Sequence, residues 1–265
     1  MKKKISITLD SRILREADLL IDNIYIKNRS QAIEFILKNF LGRSKTAVIL
    51  AGGPEEKLRI GEEFRPTVNV SGKTVAERAV QKLSSSGFKH IVIIARKNLL
   101  GRMFNILKDG SEFGARIEYI EEKVSRGTAQ SLRLCKGRIQ SSFLVVYCDI
   151  IFDNINLEEI WSSHLKGNAL ATIMVTSSQN PNEKGSLKMD GTSIVEFSQK
   201  RNIDSNLVFS PIFACEPEIL NIEGESLEED IFPKLSGTGL LNGHISSRRE
   251  IHIHSERDAK DLKTG

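Results

Sequence analysis

Residues 50–80 read "LAGGPEEKLRIGEEFRPTVNVSGKTVAERAV", and the fold is decided there. The stretch completes an apolar run, "TAVILA" at 46–51, passes through the pair Gly52-Gly53, and ends in a helical pattern near 75–86. A short, unbroken apolar run before a glycine turn reads as a strand covered on both faces.

The same alternation continues downstream. "HIVIIA" at 90–95 is a second strand followed by another helix, and "RIEYIE" at 116–121 is a third. A helix begins near Gly127, and "SFLVVYCD" at 142–149 is a fourth strand. Alternating strands and helices of this kind make an α/β domain with a Rossmann-like mixed, mainly parallel sheet. Ligands of such sheets bind beyond the carboxyl ends of the strands. The loop after Ala51, the segment around Glu122 and the end at Asp149 are therefore expected to meet.

These segments resemble sugar-1-phosphate nucleotidyltransferases, and the resemblance extends over nearly all of residues 46–262. It is carried in order by the opening stretch, by "IEYIEEKVSRGTAQSL", "VVYCD" and "SLEEDIFPKL", and by "SERDAKDL". The resemblance implies that Ala51, Gly52, Gly53, Glu122, Gly127 and Thr128 bind a nucleotide. Gly52 and Gly53 would allow close backbone approach. It also implies catalytic roles for Lys57 and Arg65, and a Mg²⁺ ion at Asp149 and His252 if the site is active. Mg²⁺ and cations would neutralise crowded phosphates while a sugar phosphate oxygen attacks the α-phosphate.

The chain also departs from that family's pattern. Glu55, Glu56 and Lys57 replace a Gly-Thr-Arg stretch, placing two carboxylates in the expected triphosphate loop. Each would cost on the order of 1–4 kcal/mol against a nearby phosphate. Arg65 replaces a lysine, Glu122 stands where glutamine is frequent, and His252 replaces an aspartate. Imidazole is a poor ligand for hard Mg²⁺.

Upstream, residues 1–43 form a different unit. "MKKKISITLD" alternates Ile5, Ile7 and Leu9 with Lys4, Ser6 and Thr8, as a half-apolar strand does. Asp10 or Ser11 can cap a helix with Ile13, Leu14, Ala17, Leu20, Ile21 and Ile24 on one face. Ser30 can cap a second helix ending at Gly42. A lone strand has no stable partner within this segment, so its partner must come from another chain. "KKISITLDSRILREADLLI" and "NRSQAIEFIL" resemble ribbon-helix-helix DNA-binding proteins. That resemblance implies a homodimer through the strand, with Lys4, Ser6 and Thr8 facing bases of double-stranded DNA. Arg29 and Ser30 would then clamp a phosphate. The charge pattern agrees with a polyanion partner: residues 1–43 hold nine Lys or Arg against five Asp or Glu, and the remainder is balanced.

Cys135, Cys148 and Cys215 lie far apart without metal spacing, so buried thiols in a reducing cytoplasm are expected. The lysine-rich start lacks the apolar run of a secretory signal, and no stretch is long enough to span a membrane. His252 and His254 share a strand face, as surface side chains in the commoner case or as ligands of Zn²⁺ or Mn²⁺ in the rarer one, and Glu225, Glu228, Glu229 and Asp230 read as the solvated start of a helix. The leading expectation is a DNA-binding regulator-like dimer whose divergent domain, 46–265, binds a nucleotide or nucleotide-sugar. The alternative is an active nucleotidyltransferase with a dimerising N-terminal module, and a third is a scaffold with neither activity.

Overall fold

The structure, a computed structural model, describes residues 5–124, 126–181, 184–201, 203–255 and 258, and only the backbone of 38–44. The chain divides into two compact units, 1–44 and 45–265. Lys4 lies outside the described residues.

In the first unit, residues 5–10 are not a strand, and α1 spans Ser11–Asp18. Asp10 caps α1 by accepting the Arg12 amide at 2.7 Å. The helix is shorter than its apolar pattern predicts because Asp22 competes for the backbone. Its Oδ1 accepts the amides of Ile24, Tyr25 and Ile26 at 2.8–2.9 Å, and Asn23 turns to φ +59°. The second helix, α2, runs Arg29–Ser44. Its cap is Asn28 rather than Ser30: Asn28 Oδ1 accepts the Gln31 amide at 3.0 Å. Arg29 makes a two-pronged bond to Asp18, at 2.6 and 2.8 Å, in place of the open position expected for a phosphate clamp.

In the second unit, nine strands form one sheet among the described residues. They are β1 (Thr46–Ala51), β2 (His90–Ala95), β3 (Arg116–Glu121), β4 (Phe143–Tyr147), β5 (Ala171–Ser177), β6 (Gly185–Asp190), β7 (Ser193–Gln199), β8 (Leu207–Cys215) and β9 (Leu241–Ile245). The order is β5-β9-β7-β6-β8-β4-β1-β2-β3, with β5 also pairing β8. The four expected strands pair in parallel as β4-β1-β2-β3. The remainder is mostly antiparallel, so "mainly parallel" holds for the first half only. Short connections explain this: β6 and β7 are joined by a turn at Gly191, too short for a crossover.

The helices are α3 (Glu55–Leu58), α4 (Val75–Ser85), α5 (Lys97–Leu107), α6 (Thr128–Arg133), α7 (Leu157–Lys166) and α8 (Phe232–Leu235). Helix α4 starts at a reciprocal cap: Thr74 Oγ1 accepts the Glu77 amide, and Glu77 accepts the Thr74 amide at 2.7 Å. Strand β1 divides two cores by alternation. Ala47, Ile49 and Ala51 pack with α4 and α5, whereas Val48 and Leu50 pack toward α6 and Phe232. All three cysteines are buried and free, and burial raises Cys135 to about 12. Among the described residues no helix is long and apolar enough to cross a membrane.

Candidate nucleotide site

At the carboxyl end of β1 the chain turns through Gly52 and Gly53, the latter at φ +109°. A Cβ on Gly52 would come within 2.5 Å of Ser131 Oγ and 3.0 Å of the Glu122 carboxylate, so only glycine fits. Glu122 is buried beneath this loop at 2 % exposure. Its Oε2 accepts the Gly53 amide at 2.8 Å and its Oε1 accepts the Ser131 hydroxyl. Glu122 thus holds the loop from below, and it does not line the cavity above.

That cavity, of about 360 Å³, is bordered by Gly52, Gly53, Lys57, Gly127, Thr128 and Asp149, joined by Arg126, Ser131 and Tyr147. Three loops predicted to meet therefore do meet. Arg126 is a cation that sequence reasoning missed, although it directly precedes the Gly-Thr-Ala run. Gly127, at φ +155°, is required by a close approach: its Cβ would lie 2.3 Å from the Glu225 carbonyl oxygen. That oxygen takes the Ala129 and Gln130 amides at 2.9 and 3.2 Å, so these helix-start donors are already used.

Glu55 contradicts its expected effect. It turns away from the loop and caps α5, accepting the amides of Asn98 and Leu99 at 3.1 and 3.3 Å and the Asn98 side chain at 2.9 Å. Burial raises its pKa, but these bonds outweigh burial and hold the carboxyl below its ordinary value. Glu56 is exposed. Glu228 is also misjudged as a solvated acid. It accepts the hydroxyls of Tyr147, Thr128 (2.7 Å) and Ser226 (3.0 Å), closing a polar network beside the cavity. Burial, then the Glu228 charge, pushes Tyr147 well above the usual phenol range, so it remains a donor.

Beyond Asp149 the site changes character. The Asp149 carbonyl accepts the Ile253 amide at 2.9 Å, and Ile251–His252 pairs with Ile150–Ile151. This brings His252 and His254 to a second cavity of about 500 Å³, bordered by Asp149, Lys184, Gln199 and Phe209. The imidazoles stack at 5.3 Å and 20°. Arg65 Nη1 donates to Asp149 Oδ2 and to His254 Nδ1, each at 2.9 Å. A guanidinium accepts nothing, so the His254 proton resides on Nε2. Burial, against the Asp149 charge, lowers the His254 pKa. His252 Nε2 donates to Glu250 at 3.0 Å, and Glu250 also accepts the Ser210 hydroxyl at 2.6 Å.

These groups do not fit the expected Mg²⁺. Mg²⁺ requires hard oxygen donors, yet one Asp149 oxygen is paired with Arg65 and the His252 Nε2 is engaged by Glu250. Among the described residues no cluster of three or more His, Cys, Asp or Glu is placed to hold a metal.

Comparison with known proteins agrees with the geometry of the second unit. The family model for nucleotidyl transferases matches residues 46–251, leaving 1–45 outside the match. The chain is 29 % identical over 188 residues to a bifunctional IPC transferase and DIPP synthase of Aquifex aeolicus, covering 70 % of this chain and 42 % of that one. It is 26 % identical over 202 residues to a mannose-1-phosphate guanyltransferase of Yarrowia lipolytica, covering 71 % and 55 %. For GlmU of Methanococcus maripaludis, identity is 25 %, with 74 % and 48 % covered. The chain thus spans about half the length of these curated relatives. The crystal structure of HddC from Yersinia pseudotuberculosis superposes at a TM-score of 0.69 and 20 % identity, covering 83 % of this chain and 98 % of that one, a likeness of fold alone. On the match across residues 46–251, this chain belongs to the nucleotidyl transferase family.

Proposed function

We propose that the second unit takes the reactants or the product of sugar-phosphate nucleotidyl transfer. These are a nucleoside triphosphate with a sugar 1-phosphate, or the nucleotide-sugar they form. The observation that carries this reading is the convergence of Gly52-Gly53, Lys57, Arg126, Gly127-Thr128 and Asp149 on one cavity at the carboxyl edge of the sheet. In transfer, a sugar phosphate oxygen would attack the α-phosphorus as pyrophosphate leaves. Lys57 and Arg126 would neutralise phosphate oxygens, and the glycine loop would let the backbone approach them. Kinship supports this over a DNA-binding role: the nucleotidyl transferase model matches residues 46–251, and one matched relative is named a mannose-1-phosphate guanyltransferase.

The test combines binding and turnover: titrate each common NTP and NDP-sugar, then follow pyrophosphate after adding sugar 1-phosphates. Saturable binding of at least one such ligand supports the reading, and pyrophosphate release identifies transfer. Neither binding nor release would overturn it.

A second reading, a DNA-binding dimer that senses this ligand, is favoured by the first unit. Ile5, Ile7, Ile13, Ile24, Phe35 and Leu37 are all exposed in the single chain, as a helix pair awaiting a second copy would leave them. Ser6, Thr8 and Ser30 are exposed too. A dimer by light scattering and steeply salt-dependent duplex binding support it. A monomer without affinity for DNA contradicts it.

A further inference from the structure

We infer that this site binds its nucleotide or nucleotide-sugar without a divalent metal, with Arg65 supplying the positive charge beside Asp149. The inference rests on the ligand class proposed above and concerns how that ligand is held.

Four observations converge on it. First, Arg65 Nη1 lies 2.9 Å from Asp149 Oδ2, with only about a fifth of the Arg65 side chain exposed and less of Asp149. A dication on that oxygen, at about 2.1 Å, would face the guanidinium across the same atom, charge against charge. Second, the same nitrogen is braced from behind by His254 Nδ1 at 2.9 Å, and the His254 ring stacks on His252. The guanidinium is thus positioned rather than swinging free. Third, His252 is tied by Nε2 to a buried Glu250, which Ser210 also holds. This imidazole stacks on the one that bonds the guanidinium and offers no hard donor. Fourth, Arg65 Nε is buried and, among the described residues, has no hydrogen-bond partner. Arg65 lines neither cavity itself and reaches them through Asp149, which borders both, so its unmet donor marks a charge not fully compensated within the protein.

Lys57 and Arg126 border the same cavity as Asp149. Both side chains are exposed at its rim, so phosphate oxygens entering it would meet two cations of the protein itself. Guanidinium forks match phosphate geometry directly.

The experiment is a calorimetric titration of the full chain with UTP, GTP, UDP-glucose and GDP-mannose, in excess EDTA and in excess MgCl₂. It is paired with Mn²⁺ titration read by electron paramagnetic resonance. The expected result is a Kd in EDTA within about twofold of that in MgCl₂, no stoichiometric Mn²⁺ bound, and about tenfold or more weakening by Arg65→Met. Arg65→Lys should recover part of the loss, since it keeps the charge but not the fork. Binding that requires Mg²⁺, stoichiometric Mn²⁺ at the site, or unweakened binding by a folded Arg65→Met variant would overturn the inference while leaving the proposed function standing. No binding of any probe in either buffer would overturn the proposed function and this inference with it. The wild-type comparison between buffers needs no variant to fold.

Discussion

The two sides of Asp149 make the instructive comparison. Toward β1, Gly52 and Gly127 are fixed by approaches of 2.5 and 2.3 Å that no other side chain allows, and Lys57 and Arg126 border the cavity they shape. Toward the chain's last described strand, Arg65, His252, His254 and Glu250 form one connected polar chain that engages the carboxylate a metal would need. One side is shaped by close steric approaches, and the other by a chain of charged and polar side chains. Gly127 faces the Glu225 backbone and Gly52 the paired Ser131 and Glu122 side chains, so a change at Gly127 is the harder of the two to accommodate. Side-chain charges at a cavity rim can be replaced one at a time.

The largest expected effect breaks the first side. Gly127→Val drives a Cβ into the Glu225 backbone at a positive φ and should cost about 3 kcal/mol or more, read from the urea midpoint. A loss below 1 kcal/mol, about the ordinary cost of a point change, would show that the 225 segment gives way easily. Next comes the second side. Asp149→Ala leaves a mostly buried Arg65 without its carboxylate partner and should destabilise the protein by about 1–3 kcal/mol in EDTA. A neutral or stabilising change would contradict the pair.

Glu55→Gln should cost roughly 0.5–1 kcal/mol by weakening the borrowed cap on α5. The folded Glu55 pKa lies below its unfolded value. Its contribution is therefore complete above the ordinary carboxylate range and disappears as pH falls through the folded value. Wild type and variant should converge in stability at low pH, and a gap that widens on acidification would contradict the cap. The smallest effect is the addition of MgCl₂ to the ligand-free protein: on the metal-free reading the melting temperature should stay unchanged, and a rise that saturates with MgCl₂ would contradict it.

The parallel half of the sheet was legible because its strands are local patterns: the apolar runs "TAVILA" and "HIVIIA" coincide with β1 and β2, and the alternating "RIEYIE" with β3. The antiparallel half was not, since β6 and β7 alternate polar and apolar residues around a turn and carry no motif of their own. The meeting of Gly52, Gly127 and Asp149 followed from topology. The Arg65–Asp149 pair spans 84 positions, and the Glu55 cap on Asn98 spans 43, distances at which no local pattern operates. In the first unit, helix positions were readable from periodicity, while the end of α1 was set by Asp22, whose side chain outcompetes the helix for three amides.

The central claim is that the cavity beside Gly52 and Asp149 holds a nucleotide or nucleotide-sugar. Equilibrium titration of the full chain with the common NTPs and NDP-sugars tests it most directly. The account predicts saturable binding at one site per chain for at least one of them, and absence of saturation with every one would contradict it.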